Sequence, residues 1–217
     1  MPRPANPLTR TKLLEAAFAV IRSKGYSATT VDDICRAAGL SKGAFFHHFA
    51  SKEELAVAAA LHWSETTGAL FESAPYHTPA DPLERLLAYV AFRREIIQGD
   101  LPDFTCLVGT MAQEVYGTNP AIQKACWESI HGHAETLVPD IEAAMRDRGI
   151  DADWTAESLA LHTQAVLQGA FILAKASGEP RRAVESIDHL YRYIEGLFGV
   201  AGLRTRPAGR RTSRTGE

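Results

Sequence analysis

The sequence holds little cysteine, and what it holds is unpaired. Cys35, Cys106 and Cys126 are the whole supply. None belongs to a CxxC pair and the set is odd, so reduced thiols of a cytoplasmic protein are expected rather than a disulfide framework. Cys106 and Cys126 can approach one another in space; buried, inert thiols are the default, and no redox role is assigned to them. Long apolar runs are missing too, since none reaches the roughly 18 residues that a membrane span needs. The opening Met1-Pro2-Arg3-Pro4-Ala5-Asn6-Pro7 has no apolar core and does not read as a signal peptide. Strand-like alternation is absent, as are Asn-Gly and Asp-Gly turns, which argues against a hairpin-built fold. No repeat of solenoid length occurs. There is no glycine-rich phosphate loop, no GxSxG elbow and no HExxH pair, so neither catalysis nor a cofactor is expected.

What remains is an ordinary globular composition, 46% hydrophobic and 23% charged over 217 residues. That length buries a substantial core without disulfides or metal. The formal net charge of -3 conceals an asymmetry. Residues 1–50 carry seven Lys/Arg against three acids, residues 51–203 carry 11 against 22, and residues 204–217 carry five Arg and one Glu. A basic head on an acidic body points to a polyanion contacted at one end. Almost nothing is apolar after Leu203, and residues 204–217 read as a disordered basic tail.

Helical periodicity fills the rest. Leu14, Ala17, Phe18 and Ile21 share one face of a first helix from about Thr9 to Lys24, and Gly25 is its natural stop. Thr30-Val31-Asp32-Asp33 resembles a capping box with Asp in place of Glu, opening a short helix that ends at Gly39. Ser41 caps a third helix, Lys42 to His48, and Ser51-Lys52-Glu53-Glu54 opens a long one to about Ser73. A connection from Ala74 to Pro82 follows. Further helices are expected over 82–98, 104–116, 119–147, 153–177 and 180–199, separated by Gly- and Pro-bearing breaks.

The two short helices flank Ala38-Gly39-Leu40-Ser41, a tight bend that makes them a helix-turn-helix whose second member suits the major groove. On that helix Phe45 and Phe49 stand four apart and are expected to pack inward on Ile34 and the first helix. The opposite side presents Gly43 and His47, flanked by Ala44 and Phe46; the small residues keep the face low. Lys42 can reach a phosphate or a guanine edge, His47 and His48 can donate, and Phe46 offers an apolar edge to a thymine methyl. Lys52 starts the long helix among free backbone N–H groups, a place that favours phosphate.

The segment from Pro7 to about Thr67 resembles the N-terminal domain of the TetR family of bacterial regulators. The resemblance lies in Leu14-Glu15-Ala16-Ala17 with Phe18, Gly25-Tyr26, Thr29 to Ile34, Ala37 to Gly43, Phe45, His48-Phe49 and Ser51 to Leu55. It implies a recognition helix at Lys42–His48, with Thr30, Lys42, Gly43, Ala44, Phe46, His47, His48 and Lys52 at DNA-contacting positions. The family usually has tyrosine where this chain has Phe46, which puts the hydroxyl-to-phosphate contact in doubt; His47, at a more variable position, is expected to help set operator preference.

The resemblance also implies an all-α architecture: a helix-turn-helix DNA-binding domain at 7–67, then a larger helical ligand-binding and dimerisation domain at 68–203. The last two predicted helices carry apolar stripes, Leu159, Val166, Ala170 and Ala174 on one and Val184, Ile187, Tyr191, Ile194 and Phe198 on the other. Two such helices from each subunit make a four-helix interface, and the alternative is that the stripes are intramolecular core. Gly109 to Glu114 and Gln168 to Ala176 look like segments of a TetR subgroup often placed beside efflux or oxidoreductase genes. Phe92, Ile96, Phe104, Met111, Trp127, His131 and His162 are candidates for lining a pocket between the body helices, against ordinary core for each. His131 and His133 do not form a metal site, because on a helix their rings point about 200° apart.

The expected function is a cytoplasmic, homodimeric transcriptional regulator that binds a palindromic operator in double-stranded DNA and is released by a small apolar inducer. The alternative is an all-helical small-molecule carrier or enzyme that has lost DNA binding.

Overall fold

Short polar residues cap the start of three helices of the head, and glycines end two of its four. The computed structural model describes residues 7–199. It opens with α1 (Pro7–Lys24), α2 (Val31–Ala38), α3 (Lys42–His48) and α4 (Lys52–Glu72). Thr30 Oγ1 accepts from the Asp33 backbone at 3.2 Å while Asp33 accepts from the Thr30 backbone at 2.9 Å, closing the capping box. Gly39 ends α2 at φ 65°, a left-handed value that glycine adopts without strain. Ser41 and Ser51 cap α3 and α4. Glu54 departs from a strict box and reaches back to the N–H of Ala50, not of Ser51.

After a 3₁₀ turn at Pro75–His77 come α5 (Pro82–Glu95), α6 (Leu101–Phe104), α7 (Leu107–Val115), α8 (Pro120–Glu135), α9 (Val138–Asp147), α10 (Ala156–Ser177) and α11 (Arg181–Leu197). No strand occurs among the described residues. One expected helix is divided and another begins late. The span 119–147 breaks between α8 and α9, where Pro139 lacks the N–H that a continuing helix would use. The span 104–116 is helical only from Leu107, because Thr105 and Cys106 are extended, and the short α6 lies mostly in the expected break at 99–103, its Asp100 cap pairing with Asp103.

One apolar cluster joins the head to the body. Leu13, Ile21, Ile34, Phe45, Phe49 and Leu55 are continuous with Leu107, Met111, Ile122 and Cys126 of α7 and α8. A second cluster fills the space between α5, α9, α10 and α11. α4 runs unbroken past residue 67, so its far end, Phe71, belongs to that second core. The expected tail at 204–217 lies outside the described residues.

Most of the stripes assigned to a subunit interface are buried within the chain instead. Leu159, Ala170 and Ala174 on α10, and Ile187, Ile194 and Phe198 on α11, are all buried. α10 and α11 pack on one another, and α11 packs on α5. Intramolecular burial uses up the apolar periodicity, leaving the opposite faces of both helices to solvent.

Candidate nucleic-acid interface and effector cavity

α3 is anchored by its aromatic residues. Phe45 and Phe49 are 0% and 2% exposed, with ring centroids 5.8 Å apart, and Arg10 lies over the Phe49 ring. Anchoring this face turns the other outward. Lys42, Gly43 and His47 are exposed, Ala44 and His48 are half-buried, and Phe46 is 56% exposed. A side chain at Gly43 would meet only the Ser41 hydroxyl, so the backbone there is open to a close approach. The Lys42 ammonium rests 2.9 Å from Asp32, an exposed pair that a phosphate can displace at small cost. Burial, then His47 and Arg10, depresses the His48 pKa and favours the neutral ring. Thr30 is exposed, and its hydroxyl is engaged in the α2 cap.

Lys52 is placed differently from the phosphate ligand expected of it. Its ammonium turns inward, donating to the carbonyls of Tyr26 at 3.1 Å and Thr29 at 2.9 Å, and lies over the Tyr26 ring. Burial lowers its pKa, with Glu114 and Glu53 opposing that shift. The residue thus ties the α1–α2 loop to α4, and the geometry gives it a structural role.

The same loop is held from the body. Glu114, on α7, accepts from the backbone N–H of Tyr26 at 3.0 Å and of Ser27 at 2.7 Å. A second strut is Arg22, which donates to the carbonyl of Asp103 at 3.1 Å and stacks over Trp63.

Trp63, Asp103 and Phe104 also line a cavity of about 230 Å³ between the body helices. Of the residues expected to line it, Ile96 and Phe104 do so. The other five lie elsewhere. Phe92 packs behind the wall, edge-on to Phe71. Met111 is fully buried in the head-to-body core. Trp127 and His131 stack on one another on the outer side of α8, Trp127 being 53% exposed. His162 meets Tyr193 on the outer side of α10. Helical phase explains the α8 error: Ser129, Ile130 and His133 face the cavity, which puts 127 and 131 on the far side.

Sequence reading missed Phe71, Arg93, His133, Gln164 and Phe171 in the wall. A usable signal was present in Leu86, Val90 and Arg93, which share one face of α5 with a cation in line with buried apolar residues. Tyr89 is fully buried and links two wall residues: Gln164 donates to its oxygen at 3.2 Å, and the oxygen lies 2.9 Å from His133 Nε2. Burial pushes the His133 pKa down to about 3, with Arg93 adding to the shift, so the ring is neutral. Cys126 is a buried thiol pushed up to about 12 by burial. Among the described residues no cluster of His, Cys, Asp or Glu is placed to hold a metal ion, and no helix is long and apolar enough to cross a membrane.

Known proteins match both parts of this arrangement. Residues 13–59 match the model described as bacterial regulatory proteins, tetR family, and residues 82–190 match the tetracyclin repressor-like C-terminal domain. The transcriptional regulator AcuR of Cereibacter sphaeroides is 30% identical over 112 residues, covering 52% of this chain and 51% of that protein. The HTH-type transcriptional repressor KstR2 of Mycobacterium tuberculosis is 42% identical over 77 residues, covering 36% of this chain and 38% of that protein. The chain thus spans about half the length or less of these curated relatives. A TetR family regulator from Agrobacterium tumefaciens superposes with a TM-score of 0.75 at 21% identity, covering 87% of this chain and 98% of that one. With a family model matched across the head and another across half of the chain, the protein belongs to the TetR family of bacterial regulatory proteins.

Proposed function

We propose that the chain is a sequence-specific DNA-binding regulator of transcription, a cytoplasmic repressor that leaves a palindromic operator when a small molecule occupies the body cavity. The observation that carries this reading is the orientation of α3, with Phe45 and Phe49 buried and Lys42, Gly43, Phe46 and His47 exposed on a low surface. Phosphate contacts would supply much of the affinity and make it fall steeply with salt, while base edges read by α3 supply specificity.

A palindrome calls for a symmetric dimer. The outer faces of α10 and α11 suit one: Leu173 and Tyr193 are 55% and 47% exposed, among Ala165, Ala176, Ser186 and His189. This face replaces the stripes first assigned to the contact.

The cavity wall and the grip on the head share one segment. Asp103 and Phe104 of α6 and Val108 of α7 line the cavity, and Glu114 of α7 holds the loop before α2. A ligand that binds better to a displaced α6–α7 segment shifts the heads towards a spacing unfit for DNA, by no more than its differential affinity for the two states. A gel shift with the DNA flanking the chain's own gene tests the assignment. Submicromolar specific binding that weakens steeply with salt is expected; no specific complex at low salt overturns it in favour of a small-molecule carrier.

A further inference from the structure

The body cavity holds a cation that the described residues leave without a counter-charge. Arg93 projects from α5 into a wall made largely of Trp63, Phe71, Ile96, Phe104 and Phe171. Its guanidinium carbon lies 5.0 Å from the Phe71 ring centroid and 5.9 Å from that of Phe171. Its Nε is buried with no hydrogen-bond partner among the described residues. Neighbouring arginines are treated otherwise: Arg85 is paired with Asp140 at 2.6 Å and Arg94 with Asp188 at 2.8 Å. Arg93 forms no such pair among the described residues. An arginine cannot shed its charge, so burial without an acceptor is costly.

The acid in the same wall does not meet that need. Asp103 accepts from the backbone N–H of Asp100 at 2.8 Å and has Arg22 beside it. The polar groups nearby are donors or neutral. Fully buried Tyr89 receives a hydrogen bond from Gln164 and, among the described residues, has one acceptor within reach for its own proton, His133 Nε2. With Tyr89 as the donor of that bond, the His133 hydrogen is on Nδ1, which has no protein partner among the described residues.

From these observations we infer that the ligand of the cavity is a small monocarboxylate with an apolar, ring-sized body, its carboxylate paired with Arg93. The inference rests on the regulator reading, and it narrows the small apolar inducer expected from sequence to one that carries a carboxylate. Size agrees: about 230 Å³ exceeds the roughly 150 Å³ cavity that admits benzene, leaving room for a ring and a short acidic arm. A planar carboxylate also suits the fork of a guanidinium that two aromatic rings hold in place. A multiply charged ligand is disfavoured, because among the described residues the wall offers one free cation and already contains Asp103.

Matched probes test this on the full chain. Benzoate and phenylacetate are compared with methyl benzoate and benzamide by calorimetry and by thermal shift, first on the wild-type protein and then on Arg93→Gln and Arg93→Lys. The acids should bind at least about tenfold more tightly than their neutral counterparts, since removing one member of a buried charged pair typically costs more than that factor. Arg93→Gln should abolish this preference and Arg93→Lys should keep part of it. Equal binding of acids and neutral analogues by the wild type overturns the proposal without recourse to any variant. So does an undiminished preference in Arg93→Gln, or failure of the acids to bind at millimolar concentration. DNA binding measured on the same sample separates the outcomes: if it persists, only the ligand class has failed.

Discussion

The carboxylate of Glu114 lies so close to the α-carbon of Gly25 that a β-carbon at position 25 would overlap its Oε1. Gly25 also sits at φ 87°, a left-handed value that disfavours any other residue. The close approach lets one body side chain take the two successive N–H groups of Tyr26 and Ser27. A loop of the helix-turn-helix head is thereby fixed to the segment that walls the cavity.

Glu114→Ala should therefore uncouple the two ends of the molecule. Head and cavity each keep their own contacts, so operator affinity without ligand should change little while its response to a cavity ligand shrinks. Gly25→Ala should be harsher, lowering stability by about 1–2 kcal/mol through strained backbone and displaced carboxylate. Operator titrations with and without ligand measure the coupling. An unaltered response in Glu114→Ala would remove the clamp from the pathway.

Lys42 and Lys52 make opposite predictions, though the sequence offers phosphate to both, with a guanine edge as the alternative for Lys42. Lys42→Ala should lower the salt slope of DNA binding by about one, because its exposed ammonium is available to displace counter-ions. Lys52→Met should leave that slope unchanged and cost about 1–3 kcal/mol of stability, since the carbonyls of Tyr26 and Thr29 lose a charged donor. Salt-dependent binding and urea unfolding of both variants decide the matter. A reduced slope in Lys52→Met would restore it to the interface.

The head was legible because its signals are local. Thr30, Ser41 and Ser51 cap helices within three residues of themselves, and Phe45 and Phe49 read inward from spacing alone. The body was harder, for reasons visible in single residues. The α8–α9 break depended on weighing Pro139 against a strong apolar period. The outward turn of Trp127 and His131 depended on which side of α8 meets α4, α7 and α10, a tertiary fact that spacing does not contain. Apolar stripes on α10 and α11 say that a face is buried but not by what, so Leu159 and Ile187 suit a partner or an intramolecular core, and the chain itself covers them. Lys52 failed differently: a free helix N-terminus attracts anions in general, yet two nearby carbonyls reached the ammonium first.

Leu173 and Tyr193 give the subunit contact a direct test. If their outer faces meet those of a second copy, Leu173→Glu and Tyr193→Glu should each lower the dimer fraction by placing an uncompensated charge in an apolar contact. Both positions are exposed within the chain, so protomer stability should hold within about 0.5 kcal/mol. Sedimentation velocity over a concentration series reports the assembly state. Wild-type dimers that survive both changes would move the contact to another surface.

Acid sensitivity should follow from His133. Burial first, and Arg93 second, bring its folded pKa down to about 3 from the ordinary 6.5. The unfolded chain therefore takes up a proton as pH falls below the ordinary value, while the folded chain stays neutral down to the depressed one. Stability rises with pH wherever the unfolded state binds more protons, so this contribution is present in full above the ordinary value and is lost progressively as acid is added. Each pH unit inside that window is worth about 1.4 kcal/mol, so moving from about pH 7.5 to about pH 5 should remove about 2 kcal/mol through this group. His133→Gln keeps a side-chain acceptor for Tyr89 and does not titrate. Urea unfolding at the two pH values should show a smaller acid loss in the variant than in the wild type, by about that amount. Equal losses would mean that the ring opens to solvent and protonates in the folded protein, and the hydrogen would then no longer be confined to Nδ1.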